Sequence, residues 1–235
     1  MRLDKYLTDA GIGTRRQVKE YIRKGLVAVD GKKETASDRK ITEGTVTVTF
    51  EGEEVLLQQF VYYMLNKPAG YVSATRDTRE KTVLELLPVT ARKDIFPVGR
   101  LDKDTEGLLL LTNDGALAHR LLSPRKHVEK QYLAVLEKEL SEEAIQNLIT
   151  GVHIGDEKLT KPAAFAWQDK ENKEALLTIT EGRFHQVKRM FEAVGNRVLY
   201  LKRLRMGTLC LDETLKGGEY RTLTQEEIEE LQNLC

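Results

Sequence analysis

The first fifty residues of the chain show two hydrophobic periodicities in turn. Leu3, Tyr6 and Leu7 recur at the spacing of one helix face, and Thr14 offers an N-cap for a second helix. Further along, apolar and β-branched residues alternate with a period of two, which is typical of half-buried strands. The pattern predicts helices over residues 3–10 and 14–24, then strands over residues 26–29 and 45–50, and therefore a small α/β module.

A larger set of elements follows a stretch of linker composition. Acidic residues 51–54 and the glutamine pair 58–59 resemble a linker, so we expect domains over residues 1–58 and 59–235. The apolar runs of the second domain indicate an α+β fold with a mixed, largely antiparallel sheet flanked by helices. Its predicted strands cover residues 61–65, 71–73, 108–112, 130–136, 176–180 and 198–204, and its predicted helices cover residues 82–87, 116–122, 141 onwards and 185–194.

Composition restricts the class of protein. The chain has 235 residues, 40% hydrophobic and 31% charged, which suits one or two globular domains and is unlike disordered or collagen-like sequences. Its longest strongly apolar run, residues 108–111, is far shorter than the roughly 18 residues that span a bilayer. The charged N-terminus argues against a secretory signal, so we expect a cytoplasmic protein whose Cys210 and Cys235 stay reduced.

The formal net charge of zero conceals an uneven distribution of charge. Residues 1–41 carry eleven basic and six acidic side chains, and residues 183–205 carry seven basic and one acidic. The tail from residue 212, with seven acidic and two basic residues, offsets part of this positive charge. Either basic segment alone would be explained as well by a solvated helix face. Two such segments, each interleaved with apolar residues, indicate a surface that binds RNA or DNA.

Few residues in the chain fit a known catalytic pattern. The four histidines, His119, His127, His153 and His185, lie in separate segments without metal-ligand spacing, so we expect no metal site. The sequence contains no nucleophile elbow, no phosphate-binding loop and no dinucleotide-binding motif. The remaining candidate is Asp102, in a glycine-bounded loop before a strand, although its spacing alone suits a turn residue better than a catalytic one.

The wider sequence context of Asp102 raises the case for catalysis. Residues 99–115 (GRLDKDTEGLLLLTNDG) closely resemble the catalytic motif of the RNA pseudouridine synthases. The resemblance is greatest to the RsuA family, which modifies small-subunit (16S) ribosomal RNA, and residues 159–163 and 186–189 favour that branch. Other segments are similar to further features of the family: residues 1–31 to an S4 RNA-binding domain, 64–72 to the first motif, 129–133 to the tyrosine motif and 181–191 to the last motif.

This resemblance implies an isomerase that converts a uridine to pseudouridine without a cofactor. Asp102 would be its catalytic carboxylate, acting as a nucleophile at the sugar or along a glycal route. Lys188 matches the family's basic partner, where many members have arginine, and would keep the carboxylate charged. Tyr132 matches the tyrosine that stacks on the flipped uracil. His185 is expected to brace the last motif.

The resemblance also implies contacts with ribosomal RNA. The expected contacts are Arg2, Arg15, Arg16 and Lys19 for docking through the first domain, and Lys67, Arg100 and Arg183 around the pocket. We expect a monomer that acts on a small-subunit assembly intermediate. Two alternatives stay open, namely the same reaction on large-subunit RNA and a non-catalytic RNA-binding factor for ribosome assembly.

Overall fold

Two compact units make up the chain. The computed structural model describes residues 1–42, 44–56, 60–88, 94–123 and 126–234. One unit consists of Met1–Phe60 with Pro88–Asp94, and the other of Val61–Leu87 with Ile95–Cys235. The domain boundary predicted after Gln58 lies outside the described residues.

The first unit packs two helices against a small antiparallel sheet. Its elements are α1 (Leu3–Asp9), α2 (Arg15–Arg23), β1 (Val27–Val29), β2 (Lys32–Lys33), β3 (Val48–Phe50) and β4 (Glu53–Glu54). The strands pair in the order β2-β1-β3-β4. Buried Leu7, Ile22, Val29 and Val48 belong to one core that joins the helices to the strands. The predicted α/β module is confirmed.

Local hydrogen bonds account for where these elements begin. The Thr14 side chain caps α2, and the Gln17 side chain accepts a hydrogen bond from the Thr14 amide at 2.9 Å. The strand predicted over residues 45–50 is shorter than expected. The Thr45 amide and hydroxyl both donate to the Thr42 carbonyl and close a turn, so β3 begins only at residue 48.

The second unit is built on one large sheet. Its elements are β5 (Tyr62–Lys67), a 3₁₀ turn (Val83–Leu86), β6 (Phe96–Pro97), β7 (Glu106–Thr112), α3 (Gly115–Leu122), β8 (Lys130–Leu136), α4 (Glu142–Thr150), β9 (Ala164–Asp169), β10 (Glu174–Ile179), α5 (Gln186–Ala193), β11 (Val198–Met206), β12 (Leu209–Cys210), β13 (Tyr220–Thr222) and α6 (Gln225–Asn233). The main strand order is β13-β5-β7-β11-β8-β10-β9, with β6 beside β7 and β12 beside β11. None of the helices described here is long and apolar enough to cross a membrane.

One parallel pair in this sheet positions the candidate site. Strands β7 and β11 run parallel, while the other described pairs are antiparallel. The predicted α+β class and the mixed, largely antiparallel sheet are therefore confirmed. Two parallel strands begin at the same edge of a sheet. The segments that precede β7 and β11, namely the loop of residues 98–105 (the aspartate loop) and helix α5, are thus brought to one edge.

The centre of the sheet is buried on both faces. Residues 108–111 of β7 are all fully buried, although successive side chains of a strand point to opposite faces. Met64 and Val98 share a core with Leu117 of α3 and Leu231 of α6. This two-sided covering explains why β7 has a continuous apolar sequence rather than an alternating one.

One strand assignment in this unit is wrong. Residues 71–73 form only an isolated bridge, between Val72 and Thr82. Gly70 adopts a positive φ of 92°, and the chain turns there out of β5. A local alternation of side chains could not reveal this turn, because it depends on the loop that the chain must enter.

Several elements were missing from the prediction, namely the short strands β2, β4, β6, β12 and β13 and two longer elements, α6 and β9. Helix α6 has a clear start signal, since Thr224 and Glu227 form a capping box, but its acidic sequence was interpreted only as charge compensation. Strand β9 alternates small and aromatic residues, with Ala166 exposed and Trp167 half-buried. That pattern offers no contrast between polar and apolar positions, so periodicity did not detect the strand.

Gly107, where β7 pairs with β11, is predicted to tolerate no side chain. Its φ is +97°, and a β-carbon there would lie 2.3 Å from the Arg203 carbonyl oxygen. We expect Gly107→Ala to lower the free energy of unfolding by roughly 2–4 kcal/mol, because overpacking and backbone strain add. Denaturant titration measures the change. Gly115→Ala is the control, since a β-carbon at this helical glycine meets no atom within 4 Å; equal losses in both variants would contradict the prediction.

Candidate active site

A buried lysine holds the aspartate loop. Lys67, the last residue of β5, is fully buried, and its ammonium donates hydrogen bonds to the carbonyls of Asp102 at 3.0 Å and Thr105 at 2.8 Å. It also donates to the Pro68 and Lys103 carbonyls at 3.1 and 3.3 Å. Burial lowers the pKa of Lys67 to about 8. The prediction that Lys67 contacts RNA is wrong, because its ammonium is enclosed by the protein's own backbone.

The aspartate loop has a second anchor in Ser73. The Ser73 hydroxyl accepts a hydrogen bond from the Leu101 amide at 3.0 Å and donates one to the Leu101 carbonyl at 2.9 Å. The Thr105 amide donates to the Asp102 carbonyl at 3.1 Å and closes the turn. These bonds fix the backbone on both sides of Asp102 and leave its side chain 26% exposed.

Two side chains from the start of α5 approach the Asp102 carboxylate. His185 Nε2 lies 3.4 Å from Oδ1, and Lys188 Nζ lies 3.5 Å from Oδ2. Lys188 is closer to Asp104 Oδ1, at 2.6 Å, and this bond holds the pKa of Asp104 below its usual range. The structure therefore brings Asp102 and Lys188 together and adds a second carboxylate that shares the ammonium.

A hydrogen-bond network fixes the segment that leads into α5. The Gln186 side chain donates to Glu181 Oε1 at 2.8 Å and accepts from the Arg183 amide at 2.9 Å. The Arg183 guanidinium bonds the Glu181 and Asp156 carboxylates and two carbonyls of the facing loop. The Arg183 guanidinium holds the protein's own loops and is 24% exposed, and its contact with RNA stays a prediction.

Tyr132 lies on β8, two strands from β7. It is in register with Arg203 on β11, and Arg203 is in register with Gly107 near the start of β7. The register therefore puts Tyr132 at the level of the sheet where the aspartate loop ends. The Tyr132 side chain is 8% exposed, and its hydroxyl makes no hydrogen bond to another described residue.

Two buried cations near Tyr132 were missed by sequence reasoning. Arg203 donates from Nε to the Leu108 carbonyl at 2.7 Å, while its Nη2 has no partner among the described residues. Burial, followed by the charge of Arg203, lowers the pKa of Lys130 to about 8. The signal for Lys130 was its position, two residues before Tyr132 in an alternating strand and so on the same buried face.

The other predicted RNA contacts reach the surface. Arg2 is about half exposed, but two of its nitrogens bond the buried Asp4 carboxylate at 3.0 Å. Its guanidinium therefore neutralises a buried charge within the first unit. Within the described part of the chain, no three His, Cys, Asp or Glu side chains cluster so that they could hold a metal ion. Four of the predicted RNA contacts are exposed and have no hydrogen bond or ion pair to a described residue, namely Arg15, Arg16, Lys19 and Arg100.

Comparison with known proteins places this geometry in a family context. The profile of the family RNA pseudouridylate synthase matches residues 61–193, and the S4 domain profile matches residues 1–46. The chain is 52% identical over 231 residues to an uncharacterized RNA pseudouridine synthase of Bacillus subtilis. It is 47% identical over 232 residues to ribosomal small subunit pseudouridine synthase A of Yersinia pestis. Each alignment covers 97% of this chain and 97% of the relative. A crystal structure of a pseudouridylate synthase matches with a TM-score of 0.70 and 39% identity, covering 98% of this chain and 99% of that one.

The anchoring role of Lys67 can be measured as stability. Lys67→Met removes the donor shared by four carbonyls, and we expect the free energy of unfolding to fall by roughly 2–4 kcal/mol as those buried acceptors lose their partner. Lys103→Met is the matched control, because the Lys103 side chain is half exposed and pairs with Glu80 at the surface. Denaturant titration of both variants decides the matter. A Lys67→Met protein as stable as the Lys103→Met protein would refute the anchor.

Proposed function

Because the chain belongs to the RNA pseudouridylate synthase family, we propose that it converts one uridine of small-subunit (16S) ribosomal RNA to pseudouridine with Asp102 as catalytic carboxylate. That it is an RNA pseudouridine synthase follows from the family itself. The role of Asp102 rests on one observation. Its carboxylate projects from a doubly anchored loop and has His185 and Lys188 at 3.4 and 3.5 Å.

The reaction is an isomerisation in which no atom is gained or lost overall. The bond between N1 of the uracil and C1′ of the ribose breaks, the base turns, and C5 bonds to C1′. The proton on C5 is then released and N1 acquires one. Asp102 acts either as the nucleophile at C1′ or as the carboxylate that removes a proton from the sugar along a glycal route.

Two side chains beside Asp102 can stabilise its negative charge when RNA covers the site. The Lys188 ammonium lies between the Asp102 and Asp104 carboxylates. It can therefore move closer to Asp102 or to Asp104 as the charge on Asp102 changes during the reaction. His185 approaches the other carboxylate oxygen. A closed pocket strengthens both interactions, since water no longer screens them.

We propose that the ring of Tyr132 stacks on the flipped uracil. Base flipping costs a few kcal/mol of lost stacking, and an aromatic ring recovers part of it. Tyr132 lies at the level where the aspartate loop joins β7, and no described residue bonds its hydroxyl. We propose that this hydroxyl assists removal of the C5 proton.

Small-subunit RNA is the proposed substrate because of full-length similarity to relatives named for that activity, at 47% identity for the Yersinia pestis protein. We propose that residues 1–58 dock the RNA through Arg15, Arg16 and Lys19, which are exposed at the start of α2, and that residues 59–235 carry out catalysis. We further propose that the enzyme acts in the cytoplasm, as a monomer, on a partly assembled small subunit.

Asp102→Asn tests the assignment of the carboxylate. We expect turnover to fall at least 1,000-fold, roughly the scale on which loss of an essential catalytic group is measured, while RNA affinity and folding stay unchanged. The assay is release of tritium from small-subunit RNA containing 5-tritiated uridine, with large-subunit RNA alongside. Asp169→Asn, a substitution on the distant β9, is the control and should keep full activity. Turnover by a folded Asp102→Asn protein would remove Asp102 from the mechanism, and release only from large-subunit RNA would reassign the substrate.

The docking role of the first unit predicts a change in salt dependence. In an Asp102→Asn background, Arg15→Ala with Arg16→Ala should weaken binding to small-subunit RNA and reduce the slope of log affinity against log salt by about one to two. Lys138→Ala with Lys170→Ala removes the same charge from exposed positions of the second unit and is the matched control. Filter binding at several salt concentrations measures both slopes. Identical slopes for the two double variants would refute docking through α2.

A further inference from the structure

A large aromatic side chain is exposed beside the catalytic carboxylate. Phe184 is 72% exposed, the greatest exposure of an aromatic side chain among the exposed large hydrophobics of the described chain. Its ring stacks on the His185 imidazole, with centroids 3.7 Å apart and planes 20° apart. His185 Nε2 in turn lies 3.4 Å from Asp102 Oδ1. One imidazole therefore lies between the exposed ring and the carboxylate.

The backbone is constrained to produce this stack. Consecutive side chains normally diverge, but His185 adopts the left-handed conformation, with φ of 49°, which is uncommon for a residue other than glycine. Arg189 Nη1 donates to the Phe184 carbonyl at 3.0 Å, and the Arg183 amide bonds the Gln186 side chain. The strained residue is thus held from both sides, which is typical of positions fixed for a function.

Phe184 makes little contribution to the protein core. One face of its ring is covered by His185, and the high exposure of the side chain leaves the other face open to solvent. Lys188 and Arg189 follow on the same segment, but their side chains already pair with Asp102, Asp104 and Asp156. What points to the occupant is the open aromatic face itself, beside a site proposed to receive RNA, because such a face stacks on any base. The occupant that fits this position is a nucleobase, stacked on the open face of the ring.

We propose that Phe184, backed by His185, is a stacking platform for a base of the substrate RNA next to the reacting uridine. The inference rests on the proposed function, since it requires a uridine at Asp102. When that uridine leaves its stack, the neighbouring base loses a partner, and the open face of Phe184 replaces it. His185 couples the platform to the carboxylate, so that correct seating of the neighbouring base accompanies correct placement of the sugar.

Substitutions at Phe184 separate aromatic stacking from mere apolar bulk. We expect Phe184→Tyr to keep kcat/KM within about 2-fold of wild type, and Phe184→Leu to lower it about 10-fold, in the range measured for one base–aromatic stack. Leu199→Ala is the control, because Leu199 on β11 is 57% exposed and has no part in the proposal. Tritium release from small-subunit RNA gives the rates. Equal activity of the leucine and tyrosine variants overturns the platform while leaving the proposed function intact.

A binding measurement detects the stack without any turnover. Phe184→Trp in the Asp102→Asn background places an indole at the platform, and stacking of a base should quench its fluorescence on addition of small-subunit RNA. Leu199→Trp in the same background reports any general effect of bound RNA. Quenching confined to position 184 supports the platform, and equal quenching at both positions overturns it. If wild-type protein releases no tritium from any ribosomal RNA, the proposed function fails, and the platform fails with it.

Discussion

The candidate site depends on a charge buried at the end of β5. Lys67 is enclosed by protein, and its ammonium holds four carbonyls, among them those of Asp102 and Thr105. A loop of polar residues at a sheet edge would otherwise have to satisfy those carbonyls with water. The buried ammonium instead attaches the backbone around Asp102 to the end of β5 through hydrogen bonds. In the proposed reaction the Asp102 carboxylate acts on the ribose, and such positioning requires a fixed backbone.

The other half of the site reaches Asp102 through topology. Asp102 precedes β7 and Lys188 lies on α5, which precedes β11, so the parallel pairing of β7 with β11 brings two segments distant in sequence to one edge. Gly107 permits the close approach of the two backbones at that pairing. The Arg183 network then fixes the chain leading into α5. The buried Lys67, the pairing of β7 with β11 and the Arg183 network therefore all help to position the Asp102 carboxylate and the Lys188 ammonium.

The order of helices and strands was largely readable from periodicity, and motif resemblance led to Asp102, Lys188 and Tyr132. The partners of individual basic side chains could not be predicted from the sequence. Lys67 and Arg183 were interpreted as RNA contacts because both are basic and lie in motifs, yet one is buried under a loop and the other spans two loops. Sequence spacing reports which residues share an element, whereas the acceptors that capture a long side chain come from segments far away in the chain.

The most direct test of the central claim is to map pseudouridine at nucleotide resolution after incubation with the purified protein. Small-subunit RNA, large-subunit RNA and partly assembled small-subunit particles, all lacking pseudouridine at the outset, are treated with wild-type and Asp102→Asn protein in parallel. A single new pseudouridine in small-subunit RNA or particles, formed by the wild type alone, is the predicted result. Pseudouridine confined to large-subunit RNA, or formed equally by the Asp102→Asn protein, would contradict the account.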